Sequence, residues 1–266
     1  MYIYSRFNLP LRLKAPESPR LRHNGGMIIL DIQIILKREN FLVCVKPAGI
    51  ISESAGLPAL LSKQENIPVL FPVHRLDKGT GGLMILAVNP SVCALLSEFF
   101  AAQQVQKTYL AVVCAEQMPG SGFFEDLLFH DKSRNKSYVV RSLRKGVKKA
   151  SCTWTLLNSV KTDGTSFHLV RVLLHTGRTH QIRVQFSSRG MPLVGDIRYG
   201  SKIRTDFPAL WASGLSFPDP ENPCKQLSFQ APPPPEWPWS LFSPYAPANA
   251  ADENAHLLQA GEFPFL

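Results

Sequence analysis

The pattern that most constrains this chain is a series of short apolar runs, rich in β-branched and aromatic residues, with little helical periodicity between them. Gln33–Leu36, Phe41–Val45, Leu83–Val88, Tyr109–Val113, Tyr138–Arg141, Thr153–Leu157 and Phe167–Leu174 each have the length and content of a strand. Val92 to Gln104 places Leu95, Leu96, Phe99 and Phe100 on one face and reads as an amphipathic helix. The regular strand–helix alternation of a doubly wound parallel sheet is missing. The expectation is an α+β fold on a largely antiparallel sheet. With 266 residues, 45% of them hydrophobic, the chain can build one sizeable core with appendages. No run approaches the ~18 apolar residues of a membrane span.

One segment concentrates chemistry: Val73-His74-Arg75-Leu76-Asp77-Lys78-Gly79-Thr80-Gly81-Gly82, followed by the apolar Leu83 to Val88. A single carboxylate, Asp77, stands between two bases on a loop anchored by a strand. Nearby cations favour the ionised form. Glycines allow unusual backbone angles and close approach of another chain. Such a loop can present a nucleophile or general base, although on its own a plain salt-bridged turn explains it as well. Neither the dinucleotide-binding nor the P-loop glycine pattern is present.

A second segment follows the Phe167–Leu174 run: His175-Thr176-Gly177-Arg178-Thr179-His180-Gln181-Ile182-Arg183-Val184-Gln185-Phe186. Thr179 is a suitable helix N-cap, Ile182 and Phe186 share a helical face, and Gly190 and Pro192 end the helix. Arg178, His180, Gln181 and Arg183 cluster on its first turns and make an anion-ready surface. The two histidines straddle the Gly177 turn without a cysteine or carboxylate to complete a metal set, so no metal site is expected.

Taken in order, these motifs resemble the RluA-type family of RNA pseudouridine synthases. They are Lys46-Pro47-Ala48-Gly49-Ile50, His74-Arg75-Leu76-Asp77 with Thr80 and Gly82, Lys107-Thr108-Tyr109-Leu110-Ala111, Gly177 to Val184, and Gly195-Asp196-Ile197-Arg198-Tyr199-Gly200. The resemblance spans about Ile32 to Phe217. It implies the pseudouridine synthase fold, a long mixed sheet with flanking helices and a central catalytic cleft. It also implies isomerisation of uridine to pseudouridine within RNA, without metal or organic cofactor. By match to the motifs, Asp77 is the catalytic carboxylate, Tyr109 stacks on the flipped base and Arg183 pairs with Asp77. His74, Arg75, Thr80, Arg178, His180 and Gln181 are the surrounding RNA-binding candidates. Gly81 stands where the family usually has serine, which predicts a looser loop. Gln185 and Trp211 each replace a histidine. The competing readings are a catalytically idle RNA-binding protein of the same fold and a carboxylate-dependent hydrolase, for which no second carboxylate accompanies Asp77.

Charge agrees with a polyanionic partner. The net charge is +9, and Lys132 to Lys149 holds Lys132, Arg134, Lys136, Arg141, Arg144, Lys145, Lys148 and Lys149 with no acidic residue. Lys145, Lys148 and Lys149 are therefore phosphate-contact candidates, against the plainer reading of a solvated loop. The partner expected is structured RNA, ribosomal or transfer, met by a monomer. Five cysteines without a Cys-x-x-Cys pair read as buried small hydrophobes or unpaired thiols in a reducing, cytoplasmic setting. Three regions are expected: an irregular basic extension or misassigned start at 1–26, the catalytic domain at 27–217 and a Pro-rich arm or tail at 218–266. Twelve of the 22 prolines lie from Pro208 onward, and Pro232 to Pro235 cannot be helical.

Overall fold

The computed structural model describes residues 20–24 and 27–243. Its strands are β1 (Arg20–Asn24), β2 (Met27–Asp31), β3 (Ile34–Lys37), β4 (Phe41–Lys46), β5 (Phe71–Pro72), β6 (Gly81–Ala87), β7 (Gln106–Cys114), β8 (Ser121–Asp131), β9 (Lys136–Val140), β10 (Val147–Thr162), β11 (Thr165–Leu174), β12 (Leu210–Asp219) and β13 (Asn222–Gln230). The helices are α1 (Leu57–Glu65), α2 (Pro90–Ala101) and α3 (Gln181–Ser187).

Eleven strands form one sheet in the order β3-β4-β6-β12-β7-β11-β10-β8-β9, with β13 added to β12 and β5 to β6. Every pairing in it is antiparallel except β6 with β12, which runs parallel over Trp211 with Gly81 and Ala212 with Gly82. The expected α+β class with a mostly antiparallel sheet is observed.

The centre of the sheet is covered on both faces. Alternate side chains of a strand point to opposite faces. Phe41, Val43, Val45, Leu83 and Ile85 accordingly pack with Leu96 of α2 on one side. Leu42, Cys44, Met84 and Leu86 pack with Leu57 and Leu61 of α1 on the other. Both β4 and β6 are buried along their whole length, which is why they read as unbroken apolar runs. Each such side chain contributes roughly 1.5–3 kcal/mol on burial.

Several boundaries differ from the expectations. The α2 helix starts at Pro90, because Asn89 Oδ1 accepts from the Val92 N–H at 2.9 Å and Pro90 suits a first helical turn. It stops at Ala101, and Gln103 beyond it has φ +57°. Arg20–Asn24, inside the stretch expected to be irregular, pairs with Met27–Asp31 as a hairpin. The sheet also continues past residue 217. Strand β12 ends at Asp219, and β13 returns alongside it to Gln230. The segment beyond is docked through Ala231, Trp239 and Phe242. The remainder of the expected tail, and residues 1–19, lie outside the described residues.

Candidate active site

The loop between β5 and β6 carries Asp77 and is clamped from behind. Ser52 Oγ donates to the Leu76 carbonyl at 2.8 Å and accepts from the Leu76 N–H at 3.0 Å. The Gly49 N–H reaches the Lys78 carbonyl at 2.8 Å, and the Thr80 N–H reaches the Asp77 carbonyl at 2.9 Å. Lys46, fully buried, donates from Nζ to the carbonyls of Pro47 (3.0 Å), Ile50 (2.7 Å) and Lys78 (3.3 Å). Burial lowers its pKa to about 8, a shift opposed by the charge of Asp77. Gly82, at φ +119°, takes a backbone angle other residues resist, and a Cβ there would lie 2.3 Å from the Ala212 carbonyl oxygen.

Gly81 does not loosen the loop. It is buried in β6, and a Cβ at this position would lie 2.3 Å from Trp211 Cζ3. Trp211 is held by its Nε1–H on the Ala231 carbonyl at 2.8 Å. The two departures from the family pattern therefore fit one another: the large indole fills the space a serine side chain would need. Gly81→Ser alone should cost about 1–3 kcal/mol through overpacking. Combining it with Trp211→His should recover much of that loss in a thermal melt. A single variant as stable as the parent would contradict this packing.

Arg183 meets Asp77 through one N–H, while its other donors go to Asp196. Its Nε and Nη2 grip Asp196 Oδ2 and Oδ1 at 2.7 and 2.8 Å, and Nη1 alone reaches Asp77 Oδ2 at 3.2 Å. The guanidinium also lies 5.1 Å from the Tyr199 ring centroid. Asp196 is fully buried and Asp77 is 24% exposed, so one carboxylate locks the arginine and the other faces the cleft. Arg75 and Lys78 do not pair with Asp77: Arg75 reaches out to Glu53 at 3.4 Å and Lys78 is exposed.

His180 approaches the same carboxylate. It caps α3 in a left-handed conformation, φ 56°, without a side-chain cap, so Thr179 is not the N-cap. Tyr199 Oη accepts from the Ser137 N–H at 2.7 Å and shares a hydrogen bond with His180 Nδ1 at 2.9 Å. The other ring nitrogen, Nε2, lies 3.8 Å from Asp77 Oδ2. Burial lowers the His180 pKa to about 4, against the opposing pull of Asp77, so the ring is neutral at pH 7.

These groups line a cleft of 960 Å³ with Tyr109, Leu76, His130, Lys132, Arg178 and Arg198. Tyr109 packs against two core clusters on its face of the sheet, one with Ala111 and Leu210 and one with Leu76 and Ala212, and burial followed by the Asp77 charge raises its phenol pKa. His74 and Thr80 reach the cleft wall but are committed elsewhere. His74 Nε2 accepts from the Ile85 N–H at 3.1 Å and its ring stacks on Phe100 at 4.7 Å, while Thr80 is buried. Gln181 uses its amide on Thr176 (2.7 Å), the Arg178 N–H (3.0 Å) and the Ser151 carbonyl (3.0 Å). It orders the turn before α3 rather than facing outward.

The basic run splits. Lys132 lines the cleft, Lys136 sits over Tyr138 and Tyr199, and Arg144 sits over Phe129. Lys145, Lys148 and Lys149 are exposed outside the cleft, joined to its rim where Arg178 Nε donates to the Lys149 carbonyl at 2.9 Å. Among the described residues no group of three His, Cys, Asp or Glu side chains is placed to hold a metal ion, and no helix is long and apolar enough to cross a membrane.

The sequence profile of the RNA pseudouridylate synthase family matches residues 40–188. The chain belongs to the RluA-type RNA pseudouridine synthases. It is 33% identical to the "Uncharacterized RNA pseudouridine synthase" of Haemophilus influenzae, covering 71% of this chain and 83% of that protein. It is 31% identical to the "Dual-specificity RNA pseudouridine synthase RluA" of Vibrio parahaemolyticus, over 71% of this chain and 78% of that one. "Ribosomal large subunit pseudouridine synthase D" of Pseudomonas aeruginosa is 34% identical over 66% of this chain, but the match spans only 55% of that protein. The fold is shared with human RNA Pseudouridylate Synthase Domain Containing 1, TM-score 0.68 at 24% identity, over 88% of this chain and 97% of that one. The chain is thus an isomerase acting on RNA.

Four residues that hold this synthase's site escaped sequence reasoning: Lys46, Ser52, Asp196 and Tyr199. Three sit in motifs that were visible, but nothing local reveals that Asp196 grips Arg183 across 13 positions. The neutral histidines have a consequence for stability. Burial, reinforced by Lys107, lowers His74 to about 3, and His180 sits at about 4, both below the ordinary 6.5. Between those values the unfolded chain binds protons that the folded protein refuses. Stability is therefore full above pH 6.5 and falls as pH drops below it, by about 1.4 kcal/mol per unit for each ring. Urea unfolding at about pH 7.5 and 5 should show a loss of roughly 2 kcal/mol per ring, and equal stability at both would contradict the assignment.

Proposed function

We propose that this synthase isomerises specific uridines of ribosomal or transfer RNA in the cytoplasm, acting as a monomer with Asp77 as the catalytic carboxylate. The target nucleotide leaves its stack, at a cost of a few kcal/mol. Stacking on Tyr109 returns roughly 1–3 kcal/mol of that. In the reaction the bond from ribose C1′ to N1 breaks, the uracil turns, C1′ joins C5, the C5 proton leaves to solvent, and N1 takes up a proton. No atoms are gained or lost and no electrons are exchanged, so the chemistry asks for a positioned acid–base group rather than a redox cofactor.

The observation that carries this reading is the Asp196–Arg183–Asp77 chain. A buried arginine locked by one carboxylate presents a single N–H to a second carboxylate, the one of the two that faces the cleft. An idle RNA-binding relative would have no use for that arrangement. Pseudouridine mapping of cellular RNA tests it. Sites that vanish with the gene should return with the wild-type protein and not with Asp77→Asn. Sites restored by the variant would overturn the role of Asp77.

Lys145, Lys148 and Lys149 supply phosphate contacts in this reading. Neutralising all three should weaken RNA binding and lower the slope of log affinity against log salt by about 2. An unchanged slope would remove this strand from the interface.

A further inference from the structure

A second groove of 540 Å³ adjoins the catalytic cleft, and the two share Phe100, Lys107, Leu174, Gly177 and Arg178. Its lining includes Gln104, Gln106 and His175 but no acidic residue. The shared wall holds two uncompensated cations. Among the described residues, Lys107 Nζ has neither a carboxylate in ion-pair range nor a hydrogen-bond acceptor. Arg178 uses only Nε, on the Lys149 carbonyl, and leaves both terminal nitrogens without a partner. A Cβ at position 177 would lie 3.4 Å from Lys107 Nζ, so Gly177 keeps the ammonium open. Partial burial of an unpaired cation beside another cation is costly, and such costs are retained where a ligand removes them. Burial and the neighbouring Arg178 charge do lower the Lys107 pKa.

A nucleotide flipped into the cleft stays tied to its neighbours through phosphodiesters, and this wall borders one way out of the cleft. We propose that Lys107 and Arg178 hold the backbone phosphate joining the target uridine to one flanking nucleotide, and that this nucleotide occupies the adjoining groove. The inference rests on the RNA reading above but needs no turnover to test.

The probe is a fluorescein-labelled 20-nucleotide RNA stem–loop with uridines in its loop, bound by the full chain between about 50 and 200 mM KCl. Lys107→Met should weaken binding about fivefold at the low-salt end and reduce the salt slope by about 0.7, one phosphate contact to a single strand. Lys107→Arg should restore both, and Lys161→Met, an exposed cation away from the cleft, should change neither. The melting temperature of Lys107→Met should hold or rise, because an unpaired cation is removed. An unchanged slope in Lys107→Met would overturn the proposal, as would saturable binding of inorganic phosphate that this variant abolishes. A lowered slope in a protein that makes no pseudouridine would support the phosphate site and reject the catalytic reading. Normal turnover with an intact slope in Lys107→Met would do the reverse.

Discussion

Asp77→Asn should leave a folded protein that binds RNA and forms pseudouridine at least about a thousandfold more slowly, the scale seen when a central catalytic group is removed. The substitution keeps shape and removes charge. Arg183 stays locked by Asp196 through two hydrogen bonds of 2.7 and 2.8 Å, so only the 3.2 Å contact to Asp77 is affected. The melting temperature should stay within a few degrees of the parent. RNA affinity should hold or improve slightly, since one negative charge leaves a cleft that receives phosphates. Single-turnover rates with excess enzyme measure the chemical step apart from binding. A variant that retained a tenth of the parent rate would show that another group does the chemistry.

Arg183→Met has the second large effect, and it falls on stability as well as rate. Asp196 is fully buried and Arg183 is 9% exposed. Removing the cation leaves a carboxylate without its partner in the interior, at a cost of about 3–5 kcal/mol. Pairing Arg183→Met with Asp196→Asn removes the stranded charge and should recover a large part of that stability. Activity should not return, because Asp77 still lacks the Nη1 donor. Recovery of both together would mean that Arg183 only supports the fold. A single variant as stable as the parent would show that the Asp196 contact contributes little.

Much of this architecture was legible in the sequence because the central strands bury both faces. Phe41–Val45 and Leu83–Ala87 are apolar throughout, so a continuous run marks them. The edges were not. Strand β13 is exposed along most of its length and carries Pro223, so only its pairing with β12 distinguishes it from a tail. Strand β10 runs 16 residues, but polar ends and a bulge between Leu156 and Asn158 leave only its middle recognisable. Helix α1 has no side-chain cap and only three buried residues, hence almost no local signal.

The site divides the same way. Asp77, Tyr109 and Arg183 lie in motifs whose order is visible along the chain, and the cleft brings them together. What holds them there depends on contacts far apart in sequence. Ser52 clamps Leu76 across 24 positions, and Tyr199 holds His180 by a hydrogen bond across 19. The pairing of Gly81 with Trp211 is the clearest case. Each looks like an isolated departure until β6 and β12 lie side by side.

The most direct measurement is tritium release from RNA labelled at C5 of uridine. The C5 hydrogen leaves only when that carbon becomes the new attachment point to ribose. RNA from cells lacking the gene, incubated with the purified full chain, should release tritium to water in step with the appearance of pseudouridine, and Asp77→Asn should release none above background. Release by Asp77→Asn at the parent rate, or pseudouridine formed by it, would contradict the assignment of Asp77 as the catalytic carboxylate.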